Sequence, residues 1–195
     1  MYQFLFLSLL LATLGSFTTV LSAASPDDLV LEVLYEEGEP IGYKIRYGLN
    51  MVGELVIPAE YPFGDEGETL PIIEIEHSAF EEVEELTSVT IPGTVKTIGW
   101  SAFTYCTALE SVTMLEGGVT YIGDSAFGFT PLTSVSLPQS LKRIDIFAFN
   151  GCASLTSITI PSGVTHIDGY AFFRATALQN IYFEGPAPSL SLIHI

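Results

Sequence analysis

The chain has 195 residues, of which 48% are hydrophobic, and carries 23 acidic against 6 basic side chains for a net charge of -17. That length fits one domain, and that apolar content is ample for a core. The charge argues against nucleic acid and anionic membrane surfaces as partners.

Residues 4–14 are apolar apart from Ser8 and Thr13, and are followed by Gly15, Ser16 and the small-residue stretch Ser22-Ala23-Ala24. This reads as a signal peptide over residues 1–24, cleaved after Ala24 or after Ser22, although Met1-Tyr2-Gln3 carries no Lys or Arg. An uncleaved anchor is the alternative. The run falls short of the ~20 residues that span a bilayer, so the expectation is a secreted or cell-surface chain with no membrane insertion after cleavage.

Residues 25–52 read as an amino-terminal cap. Leu29 to Tyr35 is strand-like, Glu36-Glu37-Gly38-Glu39-Pro40 is a turn, and the stretch from Ile41 to Tyr47 alternates again, which predicts a β-hairpin. Such a unit covers the apolar end and open strand edge of a stack of repeats. The rest of the chain is such a repeat. An Ala-Phe pair falls at Ala79-Phe80, Ala102-Phe103, Ala126-Phe127, Ala148-Phe149 and Ala171-Phe172, at spacings of 23, 24, 22 and 23 residues. A period that regular marks a solenoid whose units bury their apolar faces only by stacking.

Within the unit that begins at Leu86, the apolar Leu86, Val89 and Ile91 alternate with Ser88 and Thr90, the pattern of a half-buried strand. Pro92 ends that strand, Val95 and Ile98 form a second short extended piece, and Ala102, Cys106 and Leu109 come next at helical spacing. Each unit thus predicts a strand, a proline turn, an extended piece and one or two turns of helix. The unit returns from Leu109, Leu132 and Leu155, a further copy begins at Leu178, and a divergent first copy carries Leu55-Val56-Ile57-Pro58 and the stretch from Ile72 to Phe80. About eleven extra residues around Tyr61 to Glu68 predict a loop on one face. The Leu86, Leu109, Leu132, Leu155, Leu178 and Val89, Val112, Val135, Ile158, Ile181 columns face inward. The chemically mixed columns Thr97, Tyr121, Arg143, His166 and Trp100, Asp124, Ile146, Gly169 face solvent.

The pattern L-T-S-V-T-I-P-x-x-V-x-x-I-G-x-x-A-F-x-x-C-x-x-L resembles the BspA-like class of leucine-rich repeats over residues 53–188. The resemblance implies a leucine-rich repeat solenoid, an α/β superhelix of short parallel strands and short helical turns. It also implies a secreted or surface protein that binds other proteins or host matrix, without catalytic residues or a cofactor. The usual asparagine ladder is absent, because Pro92, Pro138 and Pro161 come after the strand instead.

Solenoid curvature makes a concave face the natural docking surface. Its candidate partner-binding residues are Ser88, Thr90, Glu110, Ser111, Thr113, Ser134, Ser136, Ser157, Thr159 and Tyr182. An equally good reading is that Ser and Thr simply suit an exposed strand face. A structural coat or spacer solenoid is therefore the alternative to a recognition or adhesion module.

Acidity concentrates in residues 27–85, with 17 acidic and 2 basic side chains. Calcium at Glu81, Glu82, Glu84 and Glu85, or around Asp65, Glu66 and Glu68, competes with a solvated face; no EF-hand-like ligand spacing supports the metal. Cys106 and Cys152 occupy one column two coils apart, roughly 9.6 Å at ~4.8 Å per coil, too far for a disulfide. They read as buried free thiols. His77, His166 and His194 form no constellation with a nucleophile. Residues 189–195 fit no repeat position, which predicts foreign sequence at the end of a fragment whose natural version has further repeats.

Overall fold

A computed structural model of the chain describes residues 26–48, 51–64, 67–186 and 188–190. The segment read as a signal peptide lies outside the described residues, as do Asp65, Glu66 and residues 191–195. A 3-10 turn (Pro26–Asp28) leads into β1 (Leu29–Glu36) and β2 (Glu39–Gly48). These pair antiparallel through a two-residue turn in which Glu37 and Gly38 have φ of 51° and 93°. Positive φ at both central positions gives the turn that matches strand twist.

From there the chain winds as a β-solenoid of about five turns. The first strand of each coil is β3 (Gly53–Val56), β6 (Leu86–Ile91), β8 (Ser111–Met114), β10 (Ser134–Ser136), β12 (Ser157–Ile160) or β14 (Asn180–Phe183). The second is β5 (Glu68–Ile75), β7 (Thr97–Ile98), β9 (Tyr121–Ile122), β11 (Arg143–Ile144), β13 (His166–Ile167) or β15 (Ser189–Leu190). Second strands stack parallel, and the hairpin extends their sheet at one end in the order β1-β2-β5-β7-β9-β11-β13-β15. First strands stack in the order β10-β8-β6-β3, and β12 and β14 pair separately.

Between these sides lies the core. The five Ala-Phe rings Phe80, Phe103, Phe127, Phe149 and Phe172 are fully buried and stack face to face, with centroids 4.9, 5.2, 5.4 and 5.6 Å apart. Leu86, Leu109, Leu132 and Leu155 are equally buried. Removing one such ring by substitution to Ala typically costs ~3–5 kcal/mol.

Four expectations are corrected. The segment after the Ala-Phe pair is a series of turns, not helix, so the superhelix is almost purely β. In the coil of Phe103, Ser101 and Tyr105 have φ of 53° and 59°, and the N–H groups of Ser101, Phe103 and Tyr105 donate to Asp124, Ala126 and Gly128 of the next coil at 2.8, 2.7 and 3.0 Å. Donors committed across coils are lost to an i to i−4 helix. Pairs 78 and 82, 125 and 129, 147 and 151, and 170 and 174 repeat the two left-handed positions. Left-handed backbone costs a non-glycine residue roughly 1–2 kcal/mol, and the cross-coil bonds offset it.

The inserted stretch is not a simple loop. It contains β4 (Glu60–Phe63), which pairs antiparallel with β5, and Tyr61 meets Tyr43 edge-on at 6.1 Å. Tyr43 Oη donates to the Pro62 carbonyl at 2.7 Å and ties this hairpin to β2. Ser189 and Leu190, set apart with the tail, occupy the second-strand position in register with His166 and Ile167. Finally, Gly169, expected in a solvent-facing column, is buried, whereas Val135 and Ile181 of the inward column pack against the core as expected although each is only half-buried.

Candidate functional site

The outward side of the first strands brings most of the candidate residues into register. Ser88, Ser111 and Ser134 are direct neighbours across β6, β8 and β10, as are Thr90, Thr113 and Ser136. Ser157 and Thr159 pair with Asn180 and Tyr182 across β12 and β14. Alternation places these side chains outward because Val89, Val112 and Ile158, one residue away, point into the core. Thr113, Ser134, Ser136, Ser157 and Thr159 are exposed, Ser88, Thr90 and Ser111 half-buried, and Tyr182 is 55% exposed at one end. Glu110 lies just before β8, its N–H donating to the Thr87 carbonyl at 2.9 Å.

The ladder is interrupted. β10 and β12 are not joined, so Ser157, Thr159 and Tyr182 belong to a different sheet from the other candidates. Pro161 has no N–H for the Leu137 carbonyl, and Leu137 is half-buried where Ile91 and Ile160 are 0% and 1% exposed. Coil length is irregular one coil earlier, between β8 and β10, which pair nonetheless. One more residue separates Ser111 from Val119 than separates Ser88 from Val95, and one fewer separates Ala126 from Leu132 than Ala102 from Leu109.

The second-strand side is outward-facing, as expected, yet joined across coils. Tyr121 Oη donates to Asp145 at 2.5 Å, and Arg143 pairs with Asp145 at 3.2 Å and with Asp168. Burial and the bond to Asp145 push the Tyr121 hydroxyl up to about 12. At the cap, Lys44 and Arg46 of β2 both bridge Glu32 and Glu76, Lys44 at 3.5 and 3.3 Å. The Arg46 hydrogen bond holds Glu32 below the ordinary carboxylate value.

The turn side carries exposed and half-buried aromatic rings, of which the solvent-facing columns included Trp100 alone. His77 stacks on Trp100 at 4.8 Å, and Tyr105 on Phe129 at 4.9 Å. Phe147 packs on Tyr170, and Arg174 lies over Phe173 at 5.3 Å. His166 Nδ1 sits 2.9 Å from Thr165 Oγ1, and His194 is outside the described residues. Glu68, Glu81, Glu82, Glu84 and Glu85 are exposed, and no three potential metal ligands converge among the described residues.

Both cysteines are buried free thiols. Cys106 donates to the Phe80 carbonyl at 3.0 Å and Cys152 to that of Phe127 at 3.2 Å. Burial raises them to about 12 and about 11 respectively, so neither is a nucleophile at neutral pH.

The repeat matches the BspA type leucine rich repeat region in six copies over residues 73–191. The chain belongs to this family. Among solved structures, the BspA-type chain is similar to a leucine-rich repeat protein from Bacteroides ovatus, with 31% identity over 80% of its length and a TM-score of 0.66. A leucine-rich repeat protein from Bacteroides capillosus is 28% identical, with a TM-score of 0.52, over 81% of this chain and 95% of the other. A Treponema pallidum leucine rich repeat protein, 22% identical at a TM-score of 0.64, covers 82% of this chain and 71% of its own and shares the fold. The chain spans 40% of the length of the Bacteroides ovatus protein. No curated protein matches it.

Proposed function

We propose that this BspA-type chain is a non-catalytic recognition module, working outside the cell or on its surface, that binds a protein or matrix partner through the outward side of its first strands. The observation that carries this reading is the in-register ladder of Ser88, Ser111 and Ser134 beside Thr90, Thr113 and Ser136. Small hydroxyls on a flat strand face offer donors and acceptors without steric cost, and affinity grows by adding coils. The hydrophobic start of the sequence supports the extracellular setting.

On such a face most positions are energetically quiet. Ser134→Ala alone therefore leaves affinity nearly unchanged. Glu at Ser111, Ser134 and Ser157 together abolishes binding to the partner retrieved from extracellular material by residues 26–190, because three outward charges repel locally without touching the core. Thermal unfolding of the triple variant stays within about 0.5 kcal/mol of the parent, as for ordinary surface changes. Undiminished binding by the triple variant removes this face from consideration. If the chain retrieves no partner, a spacer built from regular stacking takes the place of a recognition module.

A further inference from the structure

The interruption between β10 and β12 opens a cleft of about 400 Å³ at the end of the first strands. It lies at the small end of the ~300–1,000 Å³ typical of ligand sites. Glu116 and Glu184 stand on its rim, Ser136 and Thr159 add hydroxyls, and Val135, Leu137 and Pro161 supply apolar wall. The glutamates arise from a break in the repeat. Pro92, Pro138 and Pro161 end the first strand in their coils, and the coils that lack this proline present Leu115-Glu116 and Glu184 instead. Their freed N–H groups bond the preceding coil, Leu115 to Ile91 at 2.9 Å and Glu184 to Ile160 at 3.1 Å.

Gln139 holds the carboxylates in place. Its backbone N–H donates to Glu116 Oε2 at 3.0 Å, its Nε2 donates to Glu184, and its Oε1 accepts from Ser162 Oγ at 3.1 Å. Each carboxylate uses one oxygen in these contacts. Among the described residues neither glutamate has an ion-pair partner. Lys142, whose Nζ lies 3.1 Å from where a Cβ on Gly163 would stand, pairs with neither of them. The cleft thus presents mostly polar lining, carboxylate and hydroxyl acceptors beside a small apolar wall, and Gln139 has committed its backbone N–H and one Nε2 hydrogen to the two glutamates.

We propose that this cleft is the anchoring subsite of the recognition face and takes an arginine side chain of the protein partner, an inference that rests on the proposed recognition function. A guanidinium brings five donors and a fixed positive charge to two carboxylates. Its methylene stem lies against Val135, Leu137 and Pro161. The site is single, because among the described coils only β10 and β12 are unjoined neighbours on the first-strand side, and it gives a periodic surface a fixed register with its partner.

The test is a titration of residues 26–190 with Nα-acetyl-arginine amide, its lysine counterpart and its neutral citrulline isostere, monitored through the backbone amide NMR signals of Ser136, Gln139 and Glu184. The arginine compound gives saturable shifts with a Kd on the order of 1–10 mM, weakened by added salt. Lysine binds more weakly and citrulline not at all. E116Q with E184Q reduces affinity at least tenfold, whereas E54Q, an exposed acid of β3 outside the cleft, leaves it unchanged. Equal shifts from citrulline, saturation without these three signals, equal loss in E54Q, or no saturable shift each overturn the proposal. Thermal unfolding of every variant separates a lost site from a lost fold. Partner binding that survives E116Q with E184Q but not the triple serine variant sinks the cleft alone. Arginine binding in a chain whose triple serine variant still holds its partner sinks the face alone.

Discussion

Burial governs the chemistry of Cys106 and Cys152. Both sulfurs point into the core, each donates to a carbonyl of the preceding coil, and desolvation lifts them from an ordinary 9.0 to about 12 and about 11. The folded chain prefers the neutral thiol. The resulting stability is complete below about pH 9, where an unfolded thiol is also protonated, and is lost as the pH rises toward 11 and 12. Alkylation of the native chain at about pH 8 therefore gives no label, and unfolding in denaturant without reductant gives one label per cysteine. The thermal midpoint falls on moving from about pH 9 to about pH 11. Labelling of the native chain at about pH 8 shows that the thiols are not sealed by the stack; absence of label in denaturant shows that they are paired.

At the scale of the element, coil spacing is set by backbone meeting backbone. A Cβ on Gly123 would lie 2.8 Å from Gly99 C and Trp100 N and 3.0 Å from Ile98 O. These are main-chain atoms that cannot swing aside, so Gly123→Ala forces two coils apart and costs roughly 1–3 kcal/mol in a denaturant titration. An unchanged midpoint refutes that tight contact. The two strands of each coil and their register were legible in the sequence, because Leu86 and Val89 recur at a fixed period and inward columns tolerate little variation. The Ala102, Cys106, Leu109 spacing was misleading, because one-sided burial every three or four residues is shared by a helix and by a turn segment with left-handed Ser101 and Tyr105. Only the cross-coil bonds distinguish them. The candidate face was legible as columns. Its interruption was hidden, because Ser134 and Ser157 keep the same 23-residue spacing as Ser88 and Ser111, which do pair.

Across the whole molecule, charge is segregated as sharply as the repeat is regular. The cap and first coil hold 17 of the 23 acidic residues and only Lys44 and Arg46 as cations. Those two cations sit together on β2, shared between Glu32 and Glu76, and among the described residues Glu81, Glu82, Glu84 and Glu85 have no ion pair. Two opposing effects then depend on ionic strength. Screening weakens the Lys44 and Arg46 pairs, which lowers stability; it also weakens repulsion within the acidic end, which raises it. The Arg46–Glu32 pair is exposed and contributes little, and the largely buried Lys44–Glu76 pair is screened little by salt, whereas repulsion sums over the whole patch and reaches farther at low salt, where the Debye length is ~30 Å against ~10 Å at 0.1 M. Repulsion is the larger effect. The thermal midpoint of residues 26–190 therefore rises as sodium chloride goes from about 0.01 M to about 0.5 M, with most of the gain below about 0.1 M. Arg46→Gln lowers the midpoint at low salt and steepens this rise, because it removes a countercharge from the acidic end. A midpoint that falls with salt makes the four ion pairs on β2, rather than repulsion within the acidic end, the dominant electrostatic feature of the fold.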